Sequence, residues 1–487
     1  MIGRLLDRIS PVAWQRLILA LLLVTTVGAV CLALRLRTPL IMAIPIVLVV
    51  LLQVFYHYKP VFFLMMVAIP CSIQVELTPG FSMDMASEPF MLLFLLIFLF
   101  NLVSGKQLGA GSRVYTFHVL ILLMMAWMLI TTITSHDIAR SFKFWVAKLW
   151  YIATFVYIAG HIIQSPADIR RIFWSFFVPL CLLVIGITIR HAGEQFSFES
   201  SNGIAYPLFA NGVVYSATLV MMLAWAVMAR TWYTPRSLEW YLVTVGIVIL
   251  ILGVIFSYKR GAWLAFLMLP GVYWLIRQRV YDKLLIAAAV AVALLAGYMV
   301  TNNNYYYYAP NYASTIWHGD DLSGHLEATF DGTEISSVER FYRWVAAKNM
   351  IQAMPVFGAG PSTFNQVYKE YADDAFRTYV SDNPEQSTTH NYFLMTFSEQ
   401  GFPGGLIFIT ICLYMAVKGA RLYTRISDPT HRSIVMLANL SLFSILFHSL
   451  LNELIEVDKI GPVFWLSLLI IHKSEVWHET TTGIQPA

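Results

Sequence analysis

Residues 241–276 read YLVTVGIVILILGVIFSYKRGAWLAFLMLPGVYWLI, two apolar stretches joined by a short polar joint that holds Lys259 and Arg260. A helix needs about 20 predominantly apolar residues to cross a hydrocarbon core of about 30 Å. The runs near 240–257 and 262–276 are close to that length, so the Lys-Arg pair falls at a membrane–water boundary.

The pattern recurs along the chain. Apolar runs fall near 17–34, 39–56, 61–75, 89–103, 115–134, 145–163, 172–190, 211–229, 240–257, 262–276, 284–301, 402–417, 434–450 and 462–472. The composition agrees: of 487 residues, 58% are hydrophobic and only 12% charged, against about 25% charged in an average soluble protein. The expected fold is an all-α polytopic membrane protein of about 12–14 transmembrane helices with one large, partly helical outer loop. The first run follows Arg4, Arg8 and Arg16 and is too long for a signal h-region, so it reads as a retained helix. All four cysteines (Cys31, Cys71, Cys181 and Cys412) fall inside apolar runs or at their edges, which leaves no disulfide framework and no CxxC metal site.

Lys and Arg orient such a chain by their distribution between its two sides. With the N-terminus cytoplasmic, 18 of the 32 Lys and Arg residues lie inside, nine in short outer segments and five in the long outer loop. Lys259 and Arg260 then face outward, against that bias. An Arg held near hydrocarbon costs roughly 2.5–3.5 kcal/mol even on the lenient insertion scale, and an anionic partner on the outer side would offset that cost.

The chain divides into helices over 1–301, an outer loop over 302–391, and helices with a short tail over 392–487. The loop opens with NNNYYYYAPNY (302–312), whose tyrosines suit an interface where ring and hydroxyl are both satisfied. SSVERFYRWVAAKNMIQAMPVFGAGPSTF (336–364) predicts a helix: Ser336 and Glu339 have capping-box spacing, Phe341, Trp344, Val345 and Ile351 recur at helical intervals, and Pro355, Gly358 and Gly360 end it. Arg340 and Arg343 share a face. The loop closes with THNYFLMTFSEQGFPGG (389–405), in which Thr389 reads as an N-cap and His390 as a first-turn residue. There the helix dipole would depress the imidazole pKa and keep it neutral. No nucleotide-binding loop and no HExxH or clustered His/Asp/Glu set is present.

Three stretches together resemble the O-antigen ligase and O-antigen polymerase family of bacterial envelope glycosyltransferases: SYKRGAWLA (257–265), ERFYRWVAA with MPVFGAGPSTF (339–364), and HNYFLMTFSEQGFPGG (390–405). The resemblance implies a fold of the lipid-linked glycosyltransferase type in the bacterial inner membrane, with the active site facing the periplasm. It implies a donor glycan on undecaprenyl diphosphate, a lipid A-core or glycan acceptor, inversion at the anomeric carbon, no metal or other cofactor, and no nucleic-acid partner. Arg260 and Arg340 match the arginines that hold the diphosphate, and His390 matches the histidine that activates the acceptor hydroxyl. Lys259, Arg343, Asn391, Gly358 and Gly360 are their motif neighbours and are expected to line the substrate site. The family often carries another arginine just before the helix that begins near NGIAYPLFANGVVYS (202–216); here Asn202 and Gly203 stand there, with Arg190 the nearest cation.

Without a divalent ion, charge on a leaving diphosphate is met by preorganised cations, and guanidinium groups offer permanent, bidentate donors. A ligase is the favoured reading, on the size of the late loop; an O-antigen or exopolysaccharide polymerase joining lipid-linked repeat units is the alternative. A lipid-linked glycan transporter is the second alternative, but transporters collect charges and broken helices near the midplane, whereas here the charges gather at the outer rim.

Overall fold

The computed structural model describes residues 57–78, 81–104, 115–309, 335–377 and 388–482, with Gly28 and Ser381 singly. The expected runs at 17–34 and 39–56 lie outside the described residues. The remaining twelve expected runs all appear as helical segments: α1 (Tyr58–Cys71), α2 (Ser87–Val103), α3 (Thr116–Ile133), α4 (Ile138–Ile162), α5 (Pro166–Gly193), α6 (Gly212–Trp232), α7 (Leu238–Phe256), α8 (Arg260–Arg277), α9 (Tyr281–Thr301), and, after the loop helix α10 (Ile335–Ala353), α11 (Tyr392–Arg425), α12 (Pro429–Ser449) and α13 (Gly461–Thr482). Eight of them are long and apolar enough to cross a membrane. The chain is an all-α, multi-pass membrane protein.

Helix starts follow local chemistry. Ser165 and Asp168 form a capping box on α5 with Pro166 in its first turn, and Asp137, Ser237 and Asp428 each accept a backbone N–H at the starts of α4, α7 and α12. Such caps satisfy donors that the first turn leaves without a partner. The run expected over 61–75 stops early. Its helix ends at Cys71, and the alternating IQVELT and FSMDM segments pair as an antiparallel hairpin, β1 (Ile73–Thr78) and β2 (Phe81–Met85), with Gln74 opposite Asp84. Period-two alternation wins over apolar content there.

The centre of the bundle is α6 packed on α12, the first almost wholly and the second mostly buried. Lipid is as apolar as leucine, so association in a membrane draws on close packing and interhelical hydrogen bonds. Both occur here. Trp225 Nε1 donates to Ser441 Oγ at 3.1 Å and Trp232 Nε1 to Ser433 Oγ at 2.6 Å, while Gly246 and Gly253 let α7 approach Phe177 and Leu219. In contrast, α9 buries none of its apolar window and is tied at one end by Asp282 and Arg421, 2.9 Å apart.

Among the described residues, the joints between helices gather in two groups. One end gathers the β-hairpin, the joints at 134–137, 194–211 and 257–259, the described parts of the long loop, and residues 450–460. These segments bond to one another, as in Ser87 Oγ to Asp458 Oδ2 at 2.9 Å and His136 N to Ala359 O at 3.0 Å. Lys59–Asp168 and Lys418–Glu475 close the other end at 2.8 and 2.6 Å. Within the long loop, α10 buries Tyr342, Val345, Ala346 and Met350 against Phe364, Val367, Tyr368 and Phe376, a core distinct from that of the bundle. Tyr305 joins it from the tyrosine run and accepts from Lys348 Nζ at 3.1 Å, so that tyrosine serves the loop's own packing.

Candidate active site

The start of α11 sets the position of His390, and not as its sequence suggests. The N-cap is Asn391: its side-chain oxygen accepts from Phe393 N and Leu394 N at 3.1 and 3.0 Å. Thr389 is not the cap, and His390 lies before the first turn, with φ at +51°. Thr389 has a different task. Its hydroxyl lies 2.9 Å from Glu453 Oε1, Thr388 Oγ1 donates to Glu453 Oε2 at 2.7 Å, and Asn391 N donates to the same carboxylate at 3.0 Å. From the loop side, Trp344 Nε1 donates to Thr389 O at 3.0 Å. The backbone on both sides of His390 is thereby held.

The imidazole shares a hydrogen bond with the Asn452 side chain. Burial lowers its pKa below the ordinary histidine value; the Glu453 carboxylate opposes this, and the Arg343 and Arg340 guanidiniums reinforce it. The neutral ring expected from sequence is thus favoured, but by burial and neighbouring cations in place of the helix dipole. A neutral imidazole that donates through one nitrogen can accept a proton on the other.

Both loop arginines sit on α10 within electrostatic reach of His390. Arg343 Nη2 pairs with Glu339 Oε2 at 3.3 Å, and Glu339 Oε1 accepts from Ser381 Oγ at 2.6 Å. Glu339 therefore serves the arginine face of α10. The side chain of Ser336, its expected capping partner, lies outside the described residues.

Gly358 and Gly360 lie in a turn docked on the beginning of α11. Ala359 N donates to Ser398 O at 3.0 Å and Gly360 N to Glu399 O at 2.8 Å, while the buried Glu399 carboxylate accepts from Ser362 N and Phe364 N at 2.8 and 3.0 Å. At Gly358, φ is +66° and a Cβ would stand 2.4 Å from the Glu399 carbonyl carbon; at Gly360 it would stand 2.0 Å from Ser135 Oγ. Both glycines permit protein to approach protein, so a contribution to a substrate site would come through the shape of the turn.

Lys259 immediately precedes α8. Its amino group donates to Asn202 Oδ1 and its stem crosses the start of α6 at Gly212, and burial, with the adjacent Arg260, lowers its pKa. A cation from the Lys-Arg joint thus reaches the position where the sequence has Asn202. Arg190 instead donates to Tyr206 O at 3.0 Å. Beside Arg260, Gly261 lies against Leu451, and the next two residues are Asn452 and Glu453. The start of α8 and the His390 turn therefore meet the same short segment.

That segment, LLNELIEVDKI (450–460), is what the sequence reading missed. Leu454, Ile455 and Ile460 bury, and the polar residues between them bind three different elements. Glu453 holds the 388–391 turn, Glu456 pairs with the buried Lys148 and with the Tyr392 hydroxyl, and Asp458 accepts from Ser72 and Ser87 while Lys459 donates to Ser72. The signal was available: four charges in a short joint between two apolar helices are expensive unless each is partnered. Among the described residues, no group of three or more His, Cys, Asp or Glu side chains is arranged to hold a metal ion.

Residues 245–409 match the O-antigen ligase family model. The matched region runs from within α7 into α11 and takes in every candidate site residue, from Lys259 to Asn391, so the resemblance carried by the three stretches holds. Glu453 lies beyond it. No curated protein matches the chain.

Proposed function

We propose that this chain is a glycosyltransferase of the O-antigen ligase type, moving a glycan from undecaprenyl diphosphate to a lipid A-core acceptor at the periplasmic face of the inner membrane. The observation that carries the reading is the setting of His390, kept neutral beside Arg340 and Arg343 at the end of the bundle where α8 begins with Arg260. In the reaction, the acceptor oxygen bonds to the anomeric carbon from the face opposite the diphosphate, with inversion. The bond from that carbon to the phosphate oxygen breaks, and its electron pair stays on the diphosphate. The acceptor proton passes to His390, whose imidazolium Glu453 stabilises. Arg260 and Arg340 meet the charge gathering on the leaving group, the work a metal ion does elsewhere. Lys259 and Arg343 extend that positive surface, and Asn391 sets the angle of the histidine turn.

A deletion strain tests the reading through its lipopolysaccharide ladder. Loss of all long chains, with polymer accumulating on undecaprenyl diphosphate, is the expected result. A single-repeat product would assign polymerisation, and an unchanged ladder would overturn both.

A further inference from the structure

Trp344 is the one aromatic of the α10 motif whose packing does not account for it. It is half-buried and packs into neither the bundle core nor the loop core, unlike Phe341 and Tyr342, which precede it on the same helix and both join the loop core. Its indole N–H is committed to Thr389 O at 3.0 Å, which fixes the ring beside the residue that precedes His390. Phe341 meets it at 5.4 Å with the planes tilted by 56°. Arg340 lies one turn back along the same face. The tether thus spends the polar edge of the indole and fixes a partly exposed aromatic ring beside the His390 turn.

We propose that Trp344 is a stacking platform for a pyranose ring of the glycan that is transferred or extended. The inference rests on the glycan-transfer reading. The face of an indole carries the negative part of the ring quadrupole, and the axial C–H bonds of a pyranose present a weakly positive, apolar face of similar size. Stacking on a fixed indole aligns the sugar without using the hydroxyls that other groups recognise, and the Thr389 tether couples that alignment to the His390 turn.

The first test uses binding alone. Glycan released by mild acid from the lipid-linked pool of native membranes, free of lipid and diphosphate, is the probe in saturation-transfer NMR against the full chain in nanodiscs. Transfer from aromatic protons to sugar-ring protons is expected in the parent and in Trp344→Phe, and its loss in Trp344→Leu. Undiminished transfer in Trp344→Leu, or none in the parent, overturns the platform. A chain that binds this probe while its deletion leaves the ladder unchanged keeps the platform and loses the transfer reading. The second test is kinetic: Trp344→Leu should raise KM about tenfold for whichever substrate brings the ring, with kcat retained. A rise for the lipid-linked pool assigns the donor ring and a rise for the lipid acceptor assigns the acceptor ring. A fall in kcat with both KM values unchanged means that Trp344 only positions the turn, and overturns the proposal.

Discussion

Glu453 and His390 are joined through the backbone: one carboxylate takes hydrogen bonds from Thr388 and from the Asn391 amide, so it grips the chain on either side of the histidine. The same carboxylate favours the protonated ring. Glu453→Ala should therefore cost transfer about a hundredfold, in the range of a lost acid–base partner. Glu453→Gln, which keeps the hydrogen-bond acceptor and drops the charge, should retain the fold and lose part of the rate. Parental turnover in Glu453→Ala would remove Glu453 from the mechanism.

The direction of the His390 shift fixes the pH profile. A base works in its deprotonated form, and lowering its pKa extends that form to more acidic solution, so the acid limb of kcat/KM should lie below the ordinary histidine value of 6.5. Glu453→Gln removes the influence that raises the pKa, so the limb should move further toward acid. A limb above 6.5, or one moving the other way in Glu453→Gln, contradicts the assignment.

Much of this was legible in the sequence, because apolar runs and the cations in the joints between them are local features. Twelve runs became helices, and the joint at Lys259 and Arg260 sits at the end where the long loop packs. What failed was partnership across the chain. Nothing within the segment around Glu453 says that its carboxylate meets Thr388, 65 residues away in sequence. The N-cap was misplaced by two residues because both Thr389 and Asn391 are capping types, and Glu453 claims the first. The hairpin at 73–85 was lost because Ile73 and Val75 extend the apolar run of α1.

Arg260 should be the most sensitive cation. Arg260→Ala is expected to abolish transfer while the protein still inserts, and Arg260→Lys to stay poor, since an ammonium cannot form the bidentate contact. Transfer by the parent should persist in EDTA. Full activity in Arg260→Ala, or a rate lost to EDTA and restored by Mg²⁺, would remove the metal-free mechanism.

The docked turn predicts a stability effect apart from chemistry. At Gly358 an alanine must adopt a left-handed backbone, which costs roughly 1–2 kcal/mol, and its methyl would meet the Glu399 backbone. Gly358→Ala should lower the midpoint of thermal unfolding, followed by size-exclusion chromatography of heated detergent samples, and lower transfer in step. A variant as stable as the parent would mean that the turn moves freely on α11.

His390 itself separates proton transfer from packing. General-base assistance is worth about 10²–10⁴ in rate, whereas a packing histidine lowers stability with little change in turnover. His390→Ala should lose at least about two decades of rate yet bind the lipid-linked donor, because the arginines are untouched. His390→Gln keeps a hydrogen-bonding group at the Asn452 side chain without useful basicity. If the Gln variant is as slow as Ala, the ring moves a proton; if it recovers most of the rate, the ring orients the acceptor hydroxyl. Two variants that bind donor and turn over like the parent would make His390 a structural residue, and the base would then have to be sought among the carboxylates of 450–460, with Glu453 first because it lies beside the same turn.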